Sequence, residues 1–140
     1  MGEDLASTNV NRTYTLAGTS IAIFTFTMFF LYPRYMSGEA DPRLFQATII
    51  VMGLATFSFV FATFSYYCAS VCRESGDGEH TRYSRRGDCF WLLGYTLLFL
   101  APTLILFTIG LRAVGSVWLA LWLVYLVFAF LYFPKMLTAR

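Results

Sequence analysis

The chain has 140 residues, of which 58% are hydrophobic and only 13% are charged, with a formal net charge of +2. So little polar surface cannot coat a water-soluble domain of this length, so the composition excludes a soluble globular protein and indicates lipid as the solvent. The small net charge also gives no reason to expect binding to duplex nucleic acid.

Four apolar runs contain no Asp, Glu, Lys or Arg: residues 16–32, 44–71, 89–111 and 114–133. A helix needs about 20 residues, and at least roughly 17, to cross a hydrocarbon core of about 30 Å. Each run reaches that length. The sequence therefore predicts an all-α integral membrane protein, a single transmembrane domain over residues 1–140 that folds as a four-helix bundle.

In chain order, helices are predicted at about 15–33, 42–72, 89–111 and 115–134. Asp41 and Pro42 favour the start of the second helix, because Asp caps free backbone amides and Pro suits the first helical position. Residues 73–88 hold three glycines and eight charged side chains and are predicted as a loop. Pro102 is expected to kink the third helix.

The distribution of basic residues predicts the orientation. Seven lie in the N-terminal tail, the 73–88 loop and the C-terminal tail, and three lie on the other side: Arg12, Arg73, Arg82, Arg85, Arg86, Lys135 and Arg140 against Arg34, Arg43 and Arg112. Because Lys and Arg accumulate on the cytoplasmic side, both termini and the loop are expected in the cytoplasm, with the protein in a plasma or bacterial inner membrane.

The second helix carries two faces that are rich in small or weakly polar residues. The first is pore-lining or helix-packing and contains Gln46, Gly53, Thr56, Thr63, Tyr67 and Ser70. The second is expected to pack closely against other helices and contains Ala55, Ser58, Ala62, Ser65 and Ala69. Small residues let helix backbones approach in lipid, where no hydrophobic force drives helices together. The second helix is therefore expected to be central.

Two clusters lie near the predicted cytoplasmic surface. Arg82, Tyr83, Arg85 and Arg86 form a basic patch that either anchors anionic lipid or binds an anionic ligand, a nucleotide or oligonucleotide, with Tyr83 available for stacking. Cys68, Cys72, His80 and Cys89 are a weak candidate for a zinc site, since their spacing matches no tight Cys-x-x-Cys pattern. The favoured interpretation assigns no metal and no cofactor, with the cysteines as packing residues.

The absence of charged residues inside the apolar runs argues against proton pumps and coupled transporters. No nucleotide-binding loop, nucleophile motif or carboxylate pair indicates an enzyme. The leading hypothesis is a homo-oligomeric membrane channel or pore-forming protein, with the 73–88 loop as a regulatory element. By architectural analogy, it would fit a ligand-regulated effector of bacterial antiviral defence. The alternative is a non-conducting scaffold or accessory subunit that docks partner helices.

Overall fold

A computed structural model describes the backbone of residues 2–72 and 77–138 and the side chains of residues 8–72 and 80–131. Within these ranges the chain forms four α-helices: α1 (Gly2–Met36), α2 (Pro42–Cys72), α3 (Asp77–Thr108) and α4 (Arg112–Thr138). All four are long and apolar enough to cross a membrane. The described chain is thus all-helical, with the four spanning helices of a membrane protein.

Both tight turns at one end of the molecule are closed by a glycine. Gly38 ends α1 with a φ of 77°, and Gly110 ends α3 with a φ of 82°. The next amide reaches back five residues in each case, from Glu39 to the Arg34 carbonyl and from Leu111 to the Leu106 carbonyl, both at 2.9 Å. This is the left-handed cap that glycine favours because it has no side chain. We call this end of the molecule the turn end and the opposite end the termini end.

Two predicted helix starts were wrong by more than ten residues. Helix α1 begins at Gly2 rather than at about residue 15, and α3 begins at Asp77, so that residues 77–88 are helical rather than a loop. A polar sequence does not prevent a helix, because a helix satisfies its own backbone hydrogen bonds in water as well as in lipid. Acidic residues such as Asp77 also favour a helix N-terminus.

The start of α2 has the predicted chemistry. The Asp41 carboxylate accepts hydrogen bonds from the backbone amides of Arg43, at 2.8 Å, and Leu44, at 3.2 Å, and Pro42 is the first helical residue. The helix spans Pro42–Cys72, the range expected from the sequence. Helix α3 continues through Pro102 to Thr108, and α4 begins at Arg112 rather than at residue 115.

The helices pack mainly between neighbours in the chain, α1 on α2, α2 on α3 and α3 on α4. Helix α2 thus lies between α1 and α3, in agreement with the central position expected for it. Helix α1 contributes buried residues at heptad-like spacing: Thr13, Ala17, Ser20, Thr27 and Leu31. The Ser20 and Thr56 hydroxyls share a hydrogen bond of 2.8 Å, which sets the register of this antiparallel pair.

The contact between α2 and α3 depends on small residues spaced seven apart on α3. These are Gly87, Gly94, Ala101 and Thr108. A Cβ atom on Gly94 would come within 2.8 Å of the Phe59 ring, and one on Gly87 would come within 2.8 Å of the Tyr66 ring. Aromatic rings of α2 therefore fill the space that glycine leaves, and the two helices approach closely.

Helix α4 is the most exposed of the four. It contacts α3 through Trp122, whose indole Nε1 donates to the Thr96 carbonyl at 2.9 Å, and through Tyr125, whose ring lies 5.1 Å from that of Phe99. Its remaining surface is large and apolar: Val117, Leu121, Leu123, Val124, Val127, Phe128, Phe130 and Leu131 are exposed. Such a surface suits direct contact with lipid.

Candidate functional site

Some residues of the polar face predicted on α2 are packed against other helices, and others are exposed. The Thr56 hydroxyl bonds to Ser20 of α1, and Gly53, Thr63 and Ser70 are half-buried. Gln46 and Tyr67, near the two ends of the helix, are exposed. This face was predicted either to line a pore or to pack against another helix. Thr56 packs against another helix, because α1 covers it.

The five residues predicted to pack closely, Ala55, Ser58, Ala62, Ser65 and Ala69, are all buried. Ala55 and Ala62 are completely inaccessible to solvent. The hydroxyls of Ser58 and Ser65 donate to the carbonyls four residues earlier, those of Leu54 and Phe61. These serines satisfy their polar atoms within α2 and act as small packing residues.

The weak candidate zinc site does not form among the described residues. No three His, Cys, Asp or Glu side chains in residues 8–72 and 80–131 lie close enough together to hold a metal ion. Cys68 and Cys72 are half-buried on α2, and Cys89 is exposed on α3. A spacing of four residues places the first two on one helix face, but Cys89 and His80 do not complete a ligand set with them.

Three residues of the predicted basic patch line a groove on the surface of α3. Because residues 77–88 are helical, Arg82, Arg85, Arg86 and Cys89 follow one another along the exposed side of α3. Together with Thr81 and Phe90 they line a groove of about 720 Å³, which we call the arginine groove. Tyr83, predicted as a stacking residue, does not line it. The Arg86 guanidinium instead lies 6.0 Å from the centre of the Tyr83 ring.

The opposite side of α3 is fixed to α2 at the same level. The Tyr66 hydroxyl donates to the Asp88 carboxylate at 2.6 Å, and the Tyr66 ring lies against Gly87. Asp88 thereby faces α2 while the arginines face outward. Among the described side chains of residues 80–88, the exposed charged ones are therefore the three arginines, Arg82, Arg85 and Arg86.

A second surface was missed by the sequence interpretation. Opposite the buried face of α1, the position that follows Thr25 is the exposed aromatic Phe29. The positions before it are exposed and small or polar: Asn11, Thr15, Gly18, Ala22 and Thr25. We call this set the α1 stripe. It repeats at intervals of four and three residues, and a Cβ atom on Gly18 would meet nothing within 4 Å. The signal was the small-x-x-x-small pair Gly18 and Ala22, a pattern typical of helix association in membranes.

One buried polar atom has no partner among the described residues. It is the Thr103 hydroxyl oxygen, next to Pro102 in the interior of α3. By contrast, the buried Thr108 hydroxyl donates to the Leu104 carbonyl at 2.7 Å and lies 3.2 Å from that of Thr48. A buried hydroxyl without a hydrogen bond destabilises the fold.

No protein-family model matches the chain, and no curated protein or solved structure matches it. Its function is therefore inferred from two surfaces, the α1 stripe and the arginine groove.

Proposed function

We propose that the chain assembles into a homo-oligomeric membrane channel in which α1 helices from several copies surround a narrow polar path. The observation that carries this proposal is the exposed α1 stripe. It provides hydroxyl groups from Thr15 and Thr25 and the side-chain amide of Asn11 on the helix face that no other described helix covers.

The chemistry of the exposed surfaces supports α1 as the helix nearest the axis. It is the least hydropathic of the four spans, whereas α4 is the most hydropathic. The exposed face of α4 consists of large apolar side chains that lipid solvates well. Weakly polar groups gain more from water or from another protein than from lipid tails, so we expect α4 to face lipid and α1 to face the axis.

The local bonding of the stripe is compatible with a path for water or ions. The Thr15 hydroxyl donates to the Asn11 carbonyl, and the Thr25 hydroxyl donates to the Ile21 carbonyl, each at 2.9 Å. A hydroxyl oxygen that donates in this way still has lone pairs to offer a passing ion or water molecule. Gly18 and Ala22, which lie between these hydroxyls, are small enough to let the α1 helices of neighbouring copies approach closely.

This proposal replaces α2 with α1 as the lining helix. Thr56 is half-buried and bonded to Ser20, so it supports the α1–α2 contact. Four helices in a row enclose no wide passage by themselves, so several copies are required. A cyclic arrangement, in which one side of α1 in each copy meets the other side of α1 in the next copy, can close into a ring.

The test combines particle mass with ion flux in liposomes that contain the purified protein. We expect the wild type to form a particle of several copies and to conduct. Thr25→Trp should block flux without changing the particle mass, because it adds bulk at the axis. Thr56→Trp should instead destabilise the folded chain, because it disrupts the Ser20 contact.

Ala22→Leu and Ala120→Leu form a matched pair, since both add the same bulk at an exposed helix position. The first should reduce assembly and the second should not. A wild-type particle that conducts nothing, contains one copy and copurifies with a stoichiometric membrane protein would replace the channel with the alternative function, a scaffold that docks a partner helix on the α1 stripe.

A further inference from the structure

The arginine groove combines two chemical environments along one helix. The part of the groove nearer the termini end is formed by Arg82, Arg85 and Arg86, all exposed and within two turns of α3. The part nearer the turn end is formed by Cys89 and Phe90, the first residues of the third apolar run. The groove therefore extends over the boundary between the charged and the apolar segments of α3, where lipid head groups are expected to lie.

The arginines of the groove form a site for phosphate. Guanidinium groups are planar, carry a permanent charge and donate parallel hydrogen bonds that match the geometry of phosphate oxygens. Asp88, the acidic residue of this segment whose side chain is described, faces Tyr66 on the other side of α3. Its carboxylate therefore does not occupy the groove.

Below the arginines, an aromatic track leads away from the groove along the outer surface of α2. The Phe90 ring lies 5.6 Å from the Phe61 ring, which lies 6.5 Å from the Phe57 ring. Phe61 and Phe57 are 51% and 63% exposed, so most of this track is open to the surroundings. A flexible hydrocarbon chain packs well against exposed rings, whereas a soluble anion makes no use of them.

We propose that the arginine groove binds one anionic glycerophospholipid, with its phosphate on Arg82, Arg85 and Arg86 and an acyl chain along Phe90, Phe61 and Phe57. The charge of the arginines selects an anionic head group over a zwitterionic one, and the aromatic track selects a lipid over a free phosphate compound. The groove volume of about 720 Å³ is large enough for the head group and the first part of a chain. This site requires no pore and is independent of the proposed function.

Native mass spectrometry of the full chain, released from detergent, measures binding of dioleoyl phosphatidylglycerol and dioleoyl phosphatidylcholine. We expect the wild type to bind the anionic lipid preferentially. Replacing Arg82, Arg85 and Arg86 together by Gln should weaken its binding by roughly tenfold or more, since each charge-assisted contact contributes strongly. The matched control replaces Arg34, Arg43 and Arg112 by Gln, which removes the same charge at the turn end, and should change binding by less than about twofold.

The aromatic track has its own pair of variants. Phe61→Ala should weaken binding of the dioleoyl lipid severalfold and leave binding of short-chain dihexanoyl phosphatidylglycerol nearly unchanged. Phe64→Ala is the control, because Phe64 is 65% exposed on the same helix but makes no ring contact with Phe90. Both variants remove an exposed side chain, so the folded chain should survive in each.

Three results would overturn the proposal. The first is equal loss of lipid binding in the two arginine triples, which would assign the effect to total charge. The second is equal binding of the anionic and zwitterionic lipids by the wild type. The third is displacement of the bound lipid by micromolar ATP with the same dependence on the three arginines, which would assign the groove to a soluble phosphate ligand.

Discussion

Two sets of small residues with heptad spacing differ in burial: the set on α3 is covered by α2, and the set on α1 is exposed. On α3, Gly87 and Gly94 lie under aromatic rings of α2, and Ala101 and Thr108, which continue the set, are buried. On α1, Asn11, Gly18 and Thr25 are also seven residues apart, as are Thr15 and Ala22, but all five remain exposed. The comparison teaches that small residues at this spacing mark a helix face that allows close approach of another helix. On α3 that other helix is α2 of the same chain, whereas no described helix of this chain covers the face on α1.

The first and largest expected difference comes from adding the same bulk to each set. Gly94→Leu should prevent stable folding, with a cost of about 3 kcal/mol or more, because its Cβ atom alone would lie 2.8 Å from the Phe59 ring. Gly18→Leu should leave the folded chain intact and reduce only its assembly. Helical circular dichroism during heating and particle mass separate the two effects. Equal loss of folding in both variants would contradict the comparison.

A second prediction concerns the buried face of α2. Ala62→Leu should lower stability by about 1–3 kcal/mol, because Ala62 is completely buried and overpacking strains its surroundings. Phe61→Leu should have a small effect, because half of the Phe61 side chain is already exposed. Thermal unfolding in detergent measures both variants. The reverse order of effects would mean that the packed and exposed faces of α2 are assigned incorrectly.

The hydrogen bond at the termini end should contribute less. Tyr66→Phe removes a 2.6 Å bond to the Asp88 carboxylate, and we expect a loss of about 1–2 kcal/mol because the acceptor is charged. Tyr67→Phe is the neighbouring control, since Tyr67 is 58% exposed. Unfolding midpoints of the two variants should differ, and identical midpoints would show that the Tyr66 hydroxyl adds no stability.

The smallest expected difference involves two buried threonines of α3. Thr108→Val should lower stability by about 1 kcal/mol because it removes the hydrogen bond to the Leu104 carbonyl and the polar contact with the Thr48 hydroxyl. Thr103→Val should be neutral or stabilising, because the Thr103 hydroxyl has no partner among the described residues. A clear loss of stability in Thr103→Val would show that the Thr103 hydroxyl does have a hydrogen-bond partner in the folded protein.

Much of the fold could be predicted from the sequence because the lipid environment imposes strong constraints. The number of spans followed from uncharged runs, and the start of α2 followed from the capping chemistry of Asp41 and Pro42. The polarity of residues 77–88 predicts a loop, but the segment is helical because backbone hydrogen bonding in a helix does not depend on side-chain polarity.

The candidate sites were harder to predict. Lipid tails are as apolar as a protein core, so hydrophobicity alone does not distinguish a buried face of a spanning helix from an exposed one. Thr56 and Thr25 look alike in sequence, yet the first bonds to Ser20 and the second is exposed. The basic patch was recognised from its charge, but its groove required knowledge that Arg82 and Cys89 lie on one continuous helix.

The central claim is that α1 faces the α1 helices of other copies, and disulfide cross-linking tests it most directly. In a background with Cys68, Cys72 and Cys89 replaced by Ala, the protein carries a single new cysteine, Ala22→Cys or Ala120→Cys, and is oxidised in the membrane. We predict covalent dimers from Ala22→Cys and none from Ala120→Cys. Efficient cross-linking through Ala120→Cys with none through Ala22→Cys would place α4 rather than α1 at the contact between copies and contradict the account.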